Sequence, residues 1–190
     1  MPKIDNIEET PNPNAVKFIL KEPVTAGVVR SFHSPAEAAS DALGRSLFEV
    51  GEVASVFYMD KMITVEKTEE AEWDELLPKL AVPIRAAESV KSIAGGNGGD
   101  AASGVGGALG ALMSDDPRLV KITEILDERI RPALAADGGW LEVLSLEENK
   151  LTIRYQGACG SCPSSLTGTL MAIEGMVQQE VDPEIEVVAL

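Results

Sequence analysis

The residues best suited to chemistry are the chain's two cysteines, Cys159 and Cys162, in the stretch Gly157-Ala158-Cys159-Gly160-Ser161-Cys162-Pro163-Ser164-Ser165. With two residues between them, both sulfurs can reach one metal centre. The thiolate is the form that binds metal or attacks a disulfide, so what matters is whether the surroundings favour it. The preceding residues, Leu151-Thr152-Ile153-Arg154-Tyr155-Gln156, alternate apolar and polar and predict a strand. Those that follow carry Leu166, Leu170, Ile173 and Val177 at helical spacing, and Pro163 suits the first helical position. The pair is therefore expected on a strand-to-helix loop with Cys162 near the helix start. Free backbone N–H groups and the positive end of the helix dipole there favour thiolate.

A closed zinc site or an iron–sulfur cluster usually takes four protein ligands. This chain offers two thiols and a single histidine, His33, far away in sequence. A metal site here is open, completed by a small molecule, or shared between two chains, and two-fold dimers are the commonest oligomers. Two other uses fit the same residues. One is a thiol–disulfide oxidoreductase with Cys159 as nucleophile; against it, the elements around the motif read without a strand–helix–strand pattern. The other is a structural zinc site bridging two chains. Ser164 and Ser165 have no histidine nearby in sequence and serve to fill the first helical turn. His33 reads as structural or exposed, and Asp60, Lys61 and Asp137 read as turn residues.

The elements that must position this loop fall into two halves. In the first, Ala15–Leu20 reads as a strand and Val28–Phe32 as a second. Ser34-Pro35-Ala36-Glu37 opens a helix with a capping box, and that helix is expected to run to Leu43 and end at Gly44, with a further turn over Arg45–Glu49. Val53–Tyr58 and Met62–Glu66 form a hairpin turning at Asp60-Lys61. A helix follows over 70–85, with a kink or break expected at Pro78.

Eight of the 17 glycines lie between Gly95 and Gly110, mixed with alanine and serine. Such a segment reads as a flexible linker, with about 20 residues spanning about 25 Å. It lacks the Gly-Lys-Ser/Thr ending of a phosphate-binding loop. The second half begins with a helix over Pro117–Ala136, capped by Asp116, striped by Leu119, Ile122, Leu126, Ile130 and Leu134, and bent at Pro132. Asp137-Gly138-Gly139 turns into a strand over Trp140–Ser145. A hairpin turn at 147–150, the strand to Gln156, the cysteine loop, a helix to Glu180 and a strand over Glu184–Leu190 complete the order helix, strand, strand, helix, strand.

The expected fold is α+β. Two small domains, 1–92 and 117–190, are joined by a Gly/Ala-rich linker at 93–116, the second with both helices on one face of a three-stranded sheet.

Bulk properties exclude several classes. The formal net charge is −15, which opposes binding to phosphate backbones. Aromatic residues make up 4%, too few for base-stacking platforms. No apolar run approaches the roughly 20 residues that cross a bilayer. The first residues show neither an apolar leader core nor the Arg-rich, acid-poor character of a transit peptide. The expectation is a soluble protein of the bacterial-type cytoplasm, or of the mitochondrial matrix if an upstream segment was removed, with a reduced thiol pair.

At this point the residues resemble a known family. The second half is similar to the C-terminal NifU (Nfu) domain of iron–sulfur cluster scaffold and carrier proteins, through Ile130-Arg131-Pro132, Asp137-Gly138-Gly139 and the whole stretch Gly157–Ser165. Trp140 departs from that pattern, in which an acidic or small residue often follows the two glycines. The first half resembles the N-terminal Nfu domain, through Thr10-Pro11-Asn12-Pro13-Asn14, Lys17-Phe18, Ser34-Pro35-Ala36 and Trp73 with Leu76-Leu77-Pro78. The resemblance implies a 4Fe–4S cluster held between two subunits by Cys159 and Cys162 of each. It implies a carrier and not an enzyme, one that passes its cluster to apo iron–sulfur proteins, with the first domain helping to choose them. The charge and the lack of a long apolar run give the accompanying expectation of no nucleic-acid and no membrane partner.

Overall fold

A computed structural model describes residues 2–89, 116–158 and 163–190, the last from 163 to 166 by backbone alone. The described residues fall into two compact units, one on each side of residues 90–115. The chain is α+β, with helices and sheet in both units. The expected linker, apart from Asp116, lies outside the described residues.

The first unit is a five-stranded antiparallel sheet in the order β1-β2-β5-β4-β3. Its strands are β1 (Ile4–Glu9), β2 (Ala15–Leu20), β3 (Arg30–Phe32), β4 (Val53–Met59) and β5 (Met62–Lys67). Two helices, α1 (Ala42–Phe48) and α2 (Trp73–Ala86), bury one face of it. Alternation along the strands turns Val16, Phe18, Leu20, Val56, Tyr58, Ile63 and Val65 to that face. There they meet Leu47 and Phe48 of α1 and Leu76, Leu80 and Ile84 of α2. The hairpin turns where expected: Asp60 adopts a positive φ of 50° and accepts the Gly27 N–H at 2.6 Å, a turn residue as read.

Several readings for this unit change. Strand β1 lies outside the expected elements, and β3 is shorter than the expected 28–32. The capping box forms, with Ser34 Oγ accepting the Glu37 N–H at 3.3 Å and Glu37 Oε2 accepting the His33 N–H at 2.7 Å. It opens only a 3-10 turn, Glu37–Ser40, and Gly44 does not end a helix. Instead Asp41 caps α1, its carboxylate accepting the Gly44 N–H at 2.7 Å, and Gly44 lies inside α1. A Cβ on Gly44 would lie 2.9 Å from the Phe32 ring, so this glycine serves close packing. Finally, of the kink or break expected at Pro78, the break does not occur, since α2 runs through it. Pro78 is exposed. The N–H that proline lacks would have donated to the carbonyl of Asp74, a residue that is also exposed and within reach of water.

The second unit keeps the expected order. Asp116 caps α3 (Pro117–Ile125), its carboxylate accepting the Arg118 N–H at 2.9 Å. The Arg118 guanidinium also reaches Asn149 Oδ1, Asp182 Oδ2 and the Glu148 carbonyl, joining the start of the helix to two turns of the sheet. Its hydrogen bonds hold the Asp116 carboxyl below the usual carboxylate range.

A π-turn over Leu126–Ile130 separates α3 from α4 (Arg131–Ala136). This is how the bend expected at Pro132 appears. The proline has no N–H and its ring crowds the carbonyl four residues back, and a wider turn just before it relieves both. Strands β6 (Gly139–Glu147), β7 (Lys150–Gly157) and β8 (Glu186–Ala189) form a sheet in that order, and α5 (Pro163–Glu180) connects β7 to β8. Leu119, Ile122, Leu126, Ile130 and Leu134 pack with Ile173 and Val177 of α5 against Leu141, Val143, Leu151, Ile153, Tyr155 and Val187, so the helices share one sheet face.

β7 and β8 pair in parallel. The cysteine motif therefore sits in the first connection of a strand–helix–strand unit, which corrects the expectation that no such pattern surrounds it. The alternation in 184–190 gives no orientation for the last strand; the length of α5, which carries the chain back along the sheet, does.

Candidate functional site

Cys159 and Cys162 lie outside the described residues, which stop at Ala158 and resume at Pro163. The structure describes the two supports between which the four residues run. Strand β7 delivers the chain on one side, and α5 takes it up on the other with Pro163 as its first residue, as expected. An 18-residue helix presents its unpaired N–H groups and positive dipole end at that start.

The strand side is fixed by glycines. Gly157 pairs with Gly139 in the β6–β7 ladder and turns with φ 69°. One residue later, the N–H of buried Ala158 donates to the Gly138 carbonyl at 3.2 Å. Gly138 itself has φ 78°, a region that L side chains enter only with strain. The Asp137-Gly138-Gly139 turn, read from sequence as a link from helix to strand, thus also holds the first residue of the cysteine loop. Asp137 ends α4, its N–H donating to the Ala133 carbonyl, and serves as a turn residue, as its place beside the glycines predicts.

Arg131 anchors that turn. It is 7% exposed, and its Nε donates to the Leu141 carbonyl at 3.2 Å. Its guanidinium pairs with Asp127 one turn earlier and lies 5.1 Å from the centre of the Trp140 ring. Helix α4 and strand β6 are therefore tied on both sides of the glycine turn. Trp140, the residue that departs from the family pattern, supplies the surface on which the guanidinium stacks.

A second polar pair, which no sequence motif marks, flanks the loop. Gln156, opposite Trp140 in the ladder, donates through Nε2 to Glu142 Oε2 at 2.9 Å. Gln156 is 8% exposed, and its Oε1 accepts no hydrogen bond among the described residues. Burial raises the Glu142 carboxyl, and the charge of Arg154 across the strands opposes the rise. Alternating residues on a strand gave no signal for this pair; only the β6–β7 register does.

The other candidates stay apart from the loop in sequence and role. His33 contributes a backbone N–H to the capping box of the first unit. The side chains of Ser164 and Ser165 lie outside the description. Among the described residues no group of three or more His, Cys, Asp or Glu could hold a metal ion, and no helix is long and apolar enough to cross a membrane. What the site provides is two cysteines in a four-residue span pinned between a strand end and a helix start.

Comparisons with known proteins bear on both units. The NifU-like domain model matches residues 122–188, and the model for the N-terminal domain of scaffold protein Nfu/NifU matches residues 4–89. The chain is 36% identical over 190 residues to the human protein "NFU1 iron-sulfur cluster scaffold homolog, mitochondrial", covering 94% of this chain and 68% of that one. It is 34% identical to the protein of the same name from Drosophila willistoni, spanning 60% of its length. Among solved structures, the Staphylococcus aureus protein SAV1430 aligns over 43% of this chain and 98% of its own, with 29% identity and a TM-score of 0.39. Two domain models in the expected order, and a relative matched along nearly the whole chain, make the assignment: the chain belongs to the Nfu/NifU-like family of iron–sulfur cluster scaffold proteins.

Proposed function

We propose that the protein carries a 4Fe–4S cluster between two copies of itself, with Cys159 and Cys162 of each chain supplying four thiolates, and passes it to apo iron–sulfur proteins. The observation that carries this reading is the setting of the thiol pair. Its two ends are pinned by the Ala158–Gly138 hydrogen bond and by the start of α5, and each chain offers only half of a four-ligand set. A two-fold axis past the loop completes the set. Sharing also suits delivery: a cluster held across a small interface is released when the copies part, whereas one enclosed within a single chain is not. The cluster is cargo, and the protein is a carrier and not an enzyme. The first unit would help select recipients. The relatives are mitochondrial by name; for this chain we propose the bacterial-type cytoplasm or its matrix equivalent.

The test is cluster transfer. Wild type and the variants Cys159→Ser and Cys162→Ser are reconstituted without oxygen, then mixed with an apo 4Fe–4S dehydratase. Wild type should restore the acceptor's activity, and each variant should fail both to take up and to deliver cluster. If Cys159→Ser takes up and delivers cluster as wild type does, the reading fails. The parallel β7–α5–β8 connection also suits a thiol–disulfide oxidoreductase. Turnover by the cluster-free protein in a disulfide-reductase assay would favour that reading instead.

A further inference from the structure

The first unit contains a cavity of about 450 Å³ between the edge strand β3, α1 and the end of α2. This lies within the range of small-molecule sites. Its lining includes the aliphatic side chains of Val24, Leu43, Pro83 and Ala86. The lining also carries two opposite charges, Arg30 and Asp41.

The two charges do not neutralise each other. Arg30 forms no ion pair with Asp41, nor with any other carboxylate among the described residues. Asp41 is held in place through one oxygen only. Its Oδ1 accepts the Gly44 N–H at 2.7 Å and the hydroxyl of buried Tyr58 at 2.5 Å. Its Oδ2 accepts nothing among the described residues. Tyr58 sits opposite Arg30 in the β3–β4 ladder. Burial, then the Asp41 carboxylate, raises its hydroxyl well above the usual phenol range, so it stays a donor. The cavity thus joins a guanidinium without a carboxylate, an immobilised carboxylate with a free oxygen and several aliphatic lining residues. Exposed Glu88 is the third charged lining residue and adds negative charge.

An anion alone would gain Arg30 but face Asp41 and Glu88, and a cation alone would meet Arg30. A ligand with both charges on a short aliphatic frame satisfies each group. We propose that this cavity binds a zwitterion of the amino-acid type, its carboxylate on Arg30, its ammonium on Asp41 and its side chain against Val24, Leu43 and Pro83. The inference does not rest on the cluster reading, since every lining residue belongs to the first unit.

The probes are L-leucine and the dipeptide Ala-Leu, titrated into the ¹⁵N-labelled full chain and followed by amide shifts. L-Leucinamide lacks the carboxylate and N-acetyl-L-leucine the ammonium, and both serve as controls. At least one probe should give saturable shifts at Arg30, Tyr58 and Ala87, and tighter binding of one over the other tells a free amino acid from a chain segment. Each control should bind about tenfold or more weakly, as should the variants Arg30→Gln and Asp41→Asn. Asp41→Asn keeps an oxygen for Gly44 and Tyr58, so its fold is retained and the loss reads the charge. Neither probe shifting these amides at millimolar concentration, equal binding of the controls, or unchanged affinity in Arg30→Gln would each overturn the proposal.

Discussion

Two helical glycines should respond to the same substitution with opposite signs. In α1, a Cβ added at Gly44 would meet the Phe32 ring at 2.9 and 3.0 Å and the Ala38 Cβ at 3.2 Å. In α5, a Cβ at exposed Gly175 would meet nothing within 4 Å. Replacing glycine by alanine inside a helix gains about 1 kcal/mol from propensity. At Gly175 nothing opposes that gain, so Gly175→Ala should stabilise the second unit by about 0.8–1 kcal/mol. At Gly44 the gain competes with overpacking, which costs about 1–3 kcal/mol in a filled core. Phe32 is 9% exposed and Ala38 fully buried, so neither neighbour has room to withdraw. Gly44→Ala should therefore lose about 1 kcal/mol net in the first unit. Urea unfolding followed by tryptophan fluorescence can read the units separately, because Trp73 lies in the first and Trp140 in the second. Gly44→Ala is measured on a Trp140→Phe background and Gly175→Ala on a Trp73→Phe background. A rise in midpoint for Gly44→Ala matching that for Gly175→Ala would refute the packing argument.

Further substitutions probe the supports of the cysteine loop. Arg131→Met removes the donor to the Leu141 carbonyl and the partner of Asp127, and should destabilise the second unit by about 2–4 kcal/mol in urea unfolding. Arg131→Lys should recover less than half of this, since an ammonium cannot both stack on Trp140 and reach two acceptors. Gly138→Ala forces a side chain into φ 78° and should cost about 1–2 kcal/mol by the same assay. For Glu142, burial raises the folded-state carboxyl above its unfolded value. Its stabilising contribution is then present below the unfolded carboxylate range and lost as pH rises through the raised value. Glu142→Gln should accordingly unfold at a higher urea midpoint than wild type at pH 7, and at an equal one near pH 4.

How far sequence reaches depends on what each residue has to do. The hairpin at Asp60-Lys61, the Asp116 cap and the stripe from Leu119 to Leu134 are legible because turn chemistry and periodicity are local. Strand β1 is not, since Ile4-Asp5-Asn6-Ile7-Glu8-Glu9 has two apolar residues and three acids. It is an edge strand held by pairing with β2 and by ion pairs from Asp5 to Lys21 and Glu8 to Lys17. Gly44 reads as a helix stop because sequence shows its propensity and not the Phe32 ring against it. At the site, the spacing of Cys159 and Cys162 and the strand and helix around them are legible. The Gly138–Ala158 bond, the stacking of Arg131 on Trp140 and the Glu142–Gln156 pair depend on the β6–β7 register and the approach of α4, which no local pattern encodes.

The central claim is a cluster shared between two chains through two thiolates from each. It is tested most directly by measuring iron and acid-labile sulfide per chain after anaerobic reconstitution, with the mass of the assembly taken on the same sample. A bridging 4Fe–4S cluster predicts about two iron and two sulfide per chain in a dimer. About half a zinc per chain without sulfide would contradict it in favour of a shared structural site. A metal-free monomer would contradict it in favour of thiol redox chemistry.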